Sequence, residues 1–187
     1  MNLTQPIHLK MTITIPKGFN RSFPPQFRTA SSSFTWQYEI SIDTPYILYG
    51  KDGNVSEDQK DWNKLIGVKH HYLQPMKSSL MVGFAYNVET HLYDLCFYWH
   101  DADGTRHWSD TVASVKVKEK FRVTFGGGPE GTVAVFISGG AQNTKDVWMS
   151  ETFSLRLPKG RKYKINTWFG GNNPAPSTMK FTIKQLR

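Results

Sequence analysis

The sequence predicts an all-β protein with antiparallel sheets, either a β-sandwich or a β-barrel. Apolar and polar residues alternate with a period of two in about ten short segments, as they do in half-buried strands. Clusters of glycine, proline, asparagine and aspartate separate these segments. No segment has the apolar spacing of an amphipathic helix of three turns. The polar alternate positions indicate antiparallel sheets with one solvated face each.

The N-terminal part is predicted to hold two strands separated by a long loop. Apolar residues occupy every second position from residue 7 to residue 15, and Pro16-Lys17-Gly18 ends the run. The same alternation returns at residues 34–42. Residues 19–33 contain Pro24-Pro25 and a run of serines, which is typical of a loop. We expect this loop to pack through its phenylalanines, Phe19, Phe23 and Phe27.

The rest of the chain alternates between turns and further strands. Residues 50–63 are polar and predict a loop with one short helical turn starting at Ser56. Residues 79–100 predict a hairpin. The segment GGGPEG at 126–131 lacks the lysine and the following helix of a phosphate loop, so it predicts a hairpin connection. Short alternations continue at 121–125, 133–137, 153–157, 163–167 and 179–183.

Length and composition favour one soluble globular domain covering residues 1–187. The chain is 39% hydrophobic and 14% aromatic, which is too apolar for a disordered protein. No apolar run is long enough to cross a bilayer, so we expect no membrane insertion. Cys96 is the only cysteine, which excludes an internal disulfide.

The charge favours a polyanionic partner. The net charge is +8 and the sequence pI is about 9.5, which suits an acidic polysaccharide, a nucleic acid or an anionic surface. The motifs of sheet platforms that bind nucleic acids are absent, which disfavours nucleic acid. The N-terminus lacks a signal-peptide pattern. We expect an extracellular, surface-associated or virion protein.

The segment WFGGNNPAP at 168–176 suggests a binding site at the rim of a sheet. The core-facing parity of residues 163–167 continues to Phe169, which places Trp168 on the opposite, wetter face with Asn166 and Lys164. An exposed indole can stack on a sugar ring while amide and ammonium groups bind its hydroxyls. In the alternative reading, Trp168 only caps the sandwich beneath the 19–33 loop and the lysines keep a solvated face soluble.

Two other features extend this predicted site. If the last two strands pair through the 170–177 turn, Lys180 joins the same polar face. Residues 98–108 gather aromatic side chains around one turn. The predicted carbohydrate-binding residues are therefore Trp168, Asn166, Lys164, Trp99, Trp108 and Lys180.

Motifs for metal binding and catalysis are incomplete. Residues 101–104, DADG, resemble part of a calcium loop but lack its later ligands. The histidines at 70, 71 and 107 do not have zinc-site spacing. Glu39 and Asp43 would lie about 13 Å apart along a strand, which is too far for the paired acids of a retaining glycosidase. We therefore predict no metal, no cofactor and no catalytic residue.

The pattern from residue 34 onward resembles the concanavalin A-like lectin and glucanase superfamily, especially polysaccharide-associated jelly rolls of gut Bacteroidetes or their phages. The resemblance is carried by DWNKLIGVKHH, KSSLMVGFAYN, LYDLCFYWHDADG and YKINTWFGGNNPAPSTMKFTI. It implies an antiparallel β-sandwich of two sheets, folded as a jelly roll. In this fold it implies a sheet that holds an oligosaccharide or, in degenerate members, a module used for adhesion or assembly. The paired acids of the glucanases and the usual Arg/Gln-x-His/Tyr set of the alginate lyases are absent.

These observations favour a non-catalytic carbohydrate-binding or adhesion module that recognises a polysaccharide, including an acidic one. A polysaccharide lyase is the first alternative, because His70, His71, Tyr72 and Tyr163 supply suitable residue types. A structural or decoration protein of a virion or cell-surface assembly is the second. That alternative predicts a homo-oligomer or a larger assembly.

Overall fold

The computed structural model describes residues 10–24, 28–30, 33–74, 76–139, 151–170 and 173–186. Nearly all regular structure in these residues is β, in two antiparallel sheets. Sheet A has the strand order β1 (Lys10–Ile15), β13 (Met179–Gln185), β3 (Phe34–Ile42), β9 (Phe121–Gly127), β10 (Thr132–Gly139) and β11 (Glu151–Arg156). Sheet B has the order β2 (Thr29–Ala30), β12 (Lys162–Ile165), β4 (Asn63–Lys69), β5 (Ser79–Asn87), β6 (Leu92–His100) and β7 (Arg106–Trp108), and β8 (Ala113–Lys116) also pairs with β6.

The main core lies between the two sheets. Every second side chain of each long strand points into this core, for example Tyr38 and Ile40 on β3 and Val82 and Phe84 on β5. Phe84 meets Phe181 of sheet A edge to face, with ring centroids 5.6 Å apart. The predicted all-β, antiparallel two-sheet sandwich is confirmed.

Several local predictions are also confirmed. β5 and β6 form the predicted hairpin, in register from Ser79↔His100 to Asn87↔Leu92. Ser56 begins the predicted short turn, a 3₁₀ helix at Glu57–Lys60, and its Oγ accepts a hydrogen bond from the Asp58 amide at 3.2 Å. The connection predicted at 126–131 is confirmed: β9 and β10 pair as a hairpin, and residues 128–131 join them.

The predicted packing of the 19–33 loop is wrong in the part that the structure describes. Phe19 and Phe23 are 62% and 67% exposed, and Phe27 lies outside the described residues. The short strand β2 instead attaches the end of this segment to β12. Residues 10–15 of the first predicted strand are confirmed as β1, whereas residues 7–9 lie outside the described residues.

The last two strands do not pair with each other, so the condition for placing Lys180 on the predicted face is not met. β12 pairs with β2 and β4 in sheet B, whereas β13 pairs with β1 and β3 in sheet A. The connection between them carries Phe169 and Ala175, both buried in the core, so the chain crosses from one sheet to the other. In the described part of the chain, no helix is long and apolar enough to span a membrane.

Candidate functional site

The outer face of sheet B, the face turned away from sheet A, is a cleft with an apolar floor. Met81, Cys96, Tyr98 and Ile165 are buried there in a second cluster, separate from the main core, with Trp62 packed against it. On β5 and β6 these positions alternate with core residues, so they point outward. A solvated outer face was predicted, and this face instead buries apolar side chains.

Two glycines allow this floor to form close to the backbone. A Cβ on Gly67 would lie 2.4 Å from the Met81 Cβ, and a Cβ on Gly83 would lie 2.7 Å from the Cys96 Sγ. Real side chains do not approach so closely, so each glycine leaves room for its cross-strand neighbour.

One end of the cleft is a cavity of about 430 Å³, here called the Tyr98 pocket. Lys64 is only 7% exposed; its Nζ lies 4.6 Å from the Tyr98 ring centroid and donates to the Trp62 carbonyl at 3.1 Å. Trp108 stacks on Tyr98 with centroids 6.1 Å apart and planes 16° apart, and it remains 52% exposed. The described lining residues are Asp58, Lys60, Asp61, Trp62, Lys64, Tyr98, Arg106 and Trp108.

The other end is a groove of about 560 Å³, here called the Trp168 groove. The Arg21 guanidinium lies 5.5 Å from the Trp168 ring centroid. Lys69 Nζ lies 6.0 Å from the ring of Tyr72. Its described lining residues are Arg21, Ser22, Arg28, Thr29, Lys69, Tyr72, Leu73, Tyr163, Lys164, Ile165, Asn166, Thr167 and Trp168.

Backbone pairing joins the two ends. The Trp168 amide donates to the Lys64 carbonyl at 2.7 Å, and the Lys64 amide donates to the Trp168 carbonyl at 2.8 Å. Lys64 therefore holds Trp168 of the groove through its backbone and lines the Tyr98 pocket with its side chain. The Trp168 corner is fixed to β4 although it lies outside the regular strands.

Cations outnumber carboxylates at both ends of the cleft. The described lining of the Tyr98 pocket has three cations and two carboxylates, Asp58 and Asp61, and that of the Trp168 groove has cations and no carboxylate. Burial, and then the charge of Arg106, lower the pKa of Lys64. Burial also raises the pKa of Tyr98, and Arg106 offsets part of this rise. In the groove, burial and the charge of Arg21 lower the pKa of Lys69. Neighbouring cations repel one another, and a bound anion relieves this repulsion, so anion binding is favoured here.

The structure places four of the predicted site residues along this cleft. Trp168, Asn166 and Lys164 line the groove, and Trp108 lines the Tyr98 pocket. The Asn166 Oδ1 is buried and has no hydrogen-bond partner among the described residues. Phe169 is buried in the core, as predicted. Arg21 packs over the Trp168 ring, so the 19–33 loop also contacts this residue, as the capping alternative supposed.

Lys164 lines the groove, but its ammonium group turns toward sheet A and away from the predicted wet face. It is opposite the core residue Val68 in the β-ladder, and its Nζ lies 4.9 Å from the ring centroid of Tyr38 in sheet A. Burial, followed by the charge of Arg28, lowers the pKa of Lys164 to about 7. The parity was assigned the wrong way round because Ile165 is apolar yet packs on the cleft floor.

Two other predicted residues lie away from the cleft. Trp99 points inward, where it stacks on His107 with centroids 5.3 Å apart and contacts Phe153 of sheet A at 4.6 Å. Lys180 is exposed between the core residues Met179 and Phe181, which places it on the outer face of sheet A. It belongs to the other sheet because β12 and β13 do not pair.

Sequence reasoning missed Lys64, Arg106, Tyr98, Arg21 and Lys69. Two of them carried a usable signal, since Trp62-x-Lys64 and Arg106-x-Trp108 place a cation and an indole two residues apart along the chain. The others were not recognisable, because their neighbours in space are distant in sequence.

The chain matches no protein-family model and no curated protein sequence. An alginate lyase from Pseudomonas aeruginosa is similar in structure, with 10% identity and a TM-score of 0.50, over 81% of this chain and 62% of the lyase. An endo-β-1,4-glucuronan lyase from the fungus Trichoderma reesei matches with 10% identity and a TM-score of 0.48, over 95% of this chain and 79% of that protein. The botulinum neurotoxin type G receptor-binding domain matches with 9% identity and a TM-score of 0.43, over 93% of this chain and 38% of that domain.

The chain spans less than two thirds of the length of the alginate lyase. At this level of identity, the likeness shows a shared fold. It agrees with the two antiparallel sheets described above and supports the coarser part of the predicted resemblance, a β-sandwich.

The lowered pKa of Lys164 predicts a pH-dependent stability. The unfolded chain keeps the ordinary pKa of 10.5, so between about pH 7 and pH 10.5 it binds more protons than the folded protein. The free energy of unfolding contributed by Lys164 therefore rises with pH across this window. Urea unfolding should show that the free energy of unfolding of wild type increases relative to that of Lys164→Met as the pH increases. Lys180→Met, which changes an exposed lysine, is the control. The prediction would be contradicted if the free-energy difference between wild type and Lys164→Met did not change with pH, as is expected for Lys180→Met.

Proposed function

We propose that this protein is a non-catalytic binding module of the concanavalin A-like kind that holds an acidic polysaccharide along the outer face of sheet B. The observation that carries the proposal is the repeated pairing of a cation with an aromatic ring on this one face. Arg21 lies over Trp168, Lys69 over Tyr72 and Lys64 over Tyr98. The net charge of +8 favours the same class of partner.

Each part of such a pair suits one part of a uronic acid residue. An aromatic ring offers a flat apolar surface for the C–H face of a pyranose. A guanidinium binds a carboxylate through two parallel hydrogen bonds, and an ammonium binds it as a point charge. Because the pairs lie at both ends of the cleft, a chain that spans the sheet meets a cation and a ring at each end.

The proposal is tested by removing one cation from each end of the cleft. We expect Arg21→Gln/Arg106→Gln to bind alginate and polyglucuronate about tenfold or more weakly than wild type, because two charge-assisted contacts are lost. Isothermal titration calorimetry at two salt concentrations measures this, and wild-type binding should weaken at the higher salt. Alginate is a suitable first polymer because an alginate lyase has a similar fold.

The matched control removes the same charge from the other sheet. Lys10 and Lys180 are exposed and lie on the outer face of sheet A, so Lys10→Gln/Lys180→Gln should keep nearly wild-type affinity. A neutral glucan should bind more weakly than the uronate polymers. Equal losses in both double variants would show a non-specific charge effect and reject the cleft.

A lyase is a second candidate, favoured by the neighbouring rings of Tyr98 and His100, with centroids 5.3 Å apart. Burial lowers the pKa of His100 to about 4, so its imidazole is neutral and can take a proton at pH 7. The raised pKa of Tyr98 keeps its hydroxyl protonated, so it can give a proton to a leaving oxygen. Binding is favoured over this role because both side chains are buried and His100 lies outside the lining of the Tyr98 pocket.

Mixtures of the protein with alginate or polyglucuronate also distinguish a binding module from a lyase. Elimination in a uronate polymer creates a conjugated double bond that absorbs in the ultraviolet. Constant absorbance during prolonged incubation supports a binding module. Rising absorbance that is lost in Tyr98→Phe, while alginate affinity is kept, would establish the lyase instead.

A further inference from the structure

A second cavity of about 430 Å³ opens at the edge where the two sheets meet, and we call it the edge cavity. None of its described lining residues lines the Tyr98 pocket or the Trp168 groove. Its described lining residues are Ser78, His100, Asp101, Ala102, Glu130, Leu155, Arg156, Leu157, Pro158 and Lys159. Its volume falls within the range of small-molecule sites in proteins.

Ser78 is held in this cavity by a strained backbone. Its φ is 45°, in the left-handed region that favours glycine. Its amide donates to the Asp101 carbonyl at 2.9 Å, and its carbonyl accepts from the His70 amide at 3.0 Å, so both neighbours fix this conformation. The side chain is 2% exposed, and its Oγ has no hydrogen-bond partner among the described residues. Strain and an unpaired buried hydroxyl at one residue point to a ligand that uses the hydroxyl.

His100 is the second buried polar group lining the cavity, and it is 3% exposed. Its Nδ1 lies 3.0 Å from the Ser79 Oγ, which leaves the other ring nitrogen for a further partner. Burial and the charges of Lys64 and Arg106 lower its pKa to about 4. The imidazole is therefore neutral at pH 7 and lies in a positive potential that favours an anion.

The two carboxylates in the described lining, Asp101 and Glu130, each have a partner, which limits their repulsion of an anion. The Asp101 carboxylate is held by His107 Nε2 at 2.7 Å. Arg156 meets Glu130 at 3.3 Å, but both side chains are well exposed, so this pair is weak and the guanidinium can turn to an incoming anion. Lys159 adds a further exposed cation at the rim.

An apolar wall completes the cavity. Leu157 is buried, and Leu155 and Pro158 lie on either side of it in the chain. We propose that the edge cavity binds a small organic carboxylate, with its apolar body against Leu155, Leu157 and Pro158 and its carboxylate near Ser78, His100 and Arg156. This site shares no described lining residue with the polysaccharide cleft, so its test does not depend on the proposed function.

Titration with small anions at constant ionic strength tests the proposal, using butyrate, acetate and inorganic phosphate. Butyrate should shift the NMR resonances of the His100 ring in a saturable way and raise the unfolding temperature as its concentration increases. Acetate should bind more weakly, because it lacks most of the apolar body. Phosphate binding as tightly as butyrate would overturn the assignment to a carboxylate with an apolar body.

Ser78→Gly and Arg156→Gln should each weaken butyrate binding about fivefold or more, because each removes one polar contact. Ser78→Gly also relieves the strain at φ 45°, so it is expected to fold at least as stably as wild type. Arg161→Gln, which changes an exposed arginine outside the described lining, is the matched control. Trp108→Ala should bind butyrate normally even if it loses polysaccharide. Absent saturation, or unchanged affinity in Ser78→Gly/Arg156→Gln, would overturn the proposal.

Discussion

An Asn63→Ala protein is expected to lose about 2–5 kcal/mol of unfolding free energy, because the buried Gly170 amide loses its acceptor and the buried Tyr46 hydroxyl loses one of its two donors. Asn63 is 2% exposed. Its Oδ1 accepts a hydrogen bond from the Gly170 amide at 2.7 Å, and its Nδ2 donates to the Tyr46 hydroxyl at 2.8 Å. Alanine leaves the Gly170 N–H buried and unsatisfied. Urea unfolding at equilibrium measures the loss.

The same truncation at an exposed loop position is the control. Asn54 is exposed, and its side chain bonds only to Asp52 among the described residues. Asn54→Ala should therefore change the free energy of unfolding by less than about 1 kcal/mol. A loss below that value in Asn63→Ala would show that the network is not needed. Because Gly170 follows Trp168 and Phe169 directly, Asn63→Ala should also loosen the groove wall.

Removing the exposed indole of the Tyr98 pocket is expected to have the largest effect on binding among single aromatic substitutions. Trp108→Ala should weaken polyuronate binding by roughly 1–2 kcal/mol, or about 5- to 30-fold, because one stacking surface is lost. Trp108 lies at the edge of the sheet and is 52% exposed, so its removal should cost little stability. Calorimetric titration with alginate measures the affinity, and circular dichroism confirms that the variant is folded.

Two aromatic controls separate stacking from a general loss of aromatic surface. Phe136 is 40% exposed and lies on the outer face of sheet A, opposite Thr124, so Phe136→Ala should bind like wild type. Trp99 packs inward on Phe153, so Trp99→Phe should lower stability and leave the affinity of the folded protein unchanged. Loss of affinity in Trp99→Phe with no loss in Trp108→Ala would reverse the assignment of the two tryptophans.

Local features of the fold were predictable because their causes are local. The hairpin of β5 and β6 followed from two alternating runs separated by a short polar turn. The 3₁₀ turn after Ser56 followed from a capping hydroxyl that bonds two residues along the chain. The burial of Phe169 also followed, although the parity argument that led to it was wrong for Lys164.

The candidate site was predicted only in part, because it depends on contacts between distant segments. Trp168 was recognised from an unusual local sequence, but Arg21, which packs over its ring, is distant from it in the chain. Lys64 lies in a strand whose other residues are mostly apolar. Only its backbone pairing with Trp168 shows that it belongs to the same cleft. No local pattern contains this information.

The sequence by itself determined that this chain forms strands, where most of them lie, and that its charge suits an anionic partner. Only the tertiary structure decided which sheet each strand joins and which face of it is covered. The physical reason is that an alternating pattern shows which residues share a face of the strand. It does not show which of the two faces points into the core. Ile165 and Lys164 occupy opposite faces in either reading, and the apolar cleft floor places the isoleucine outward while the lysine turns toward Tyr38.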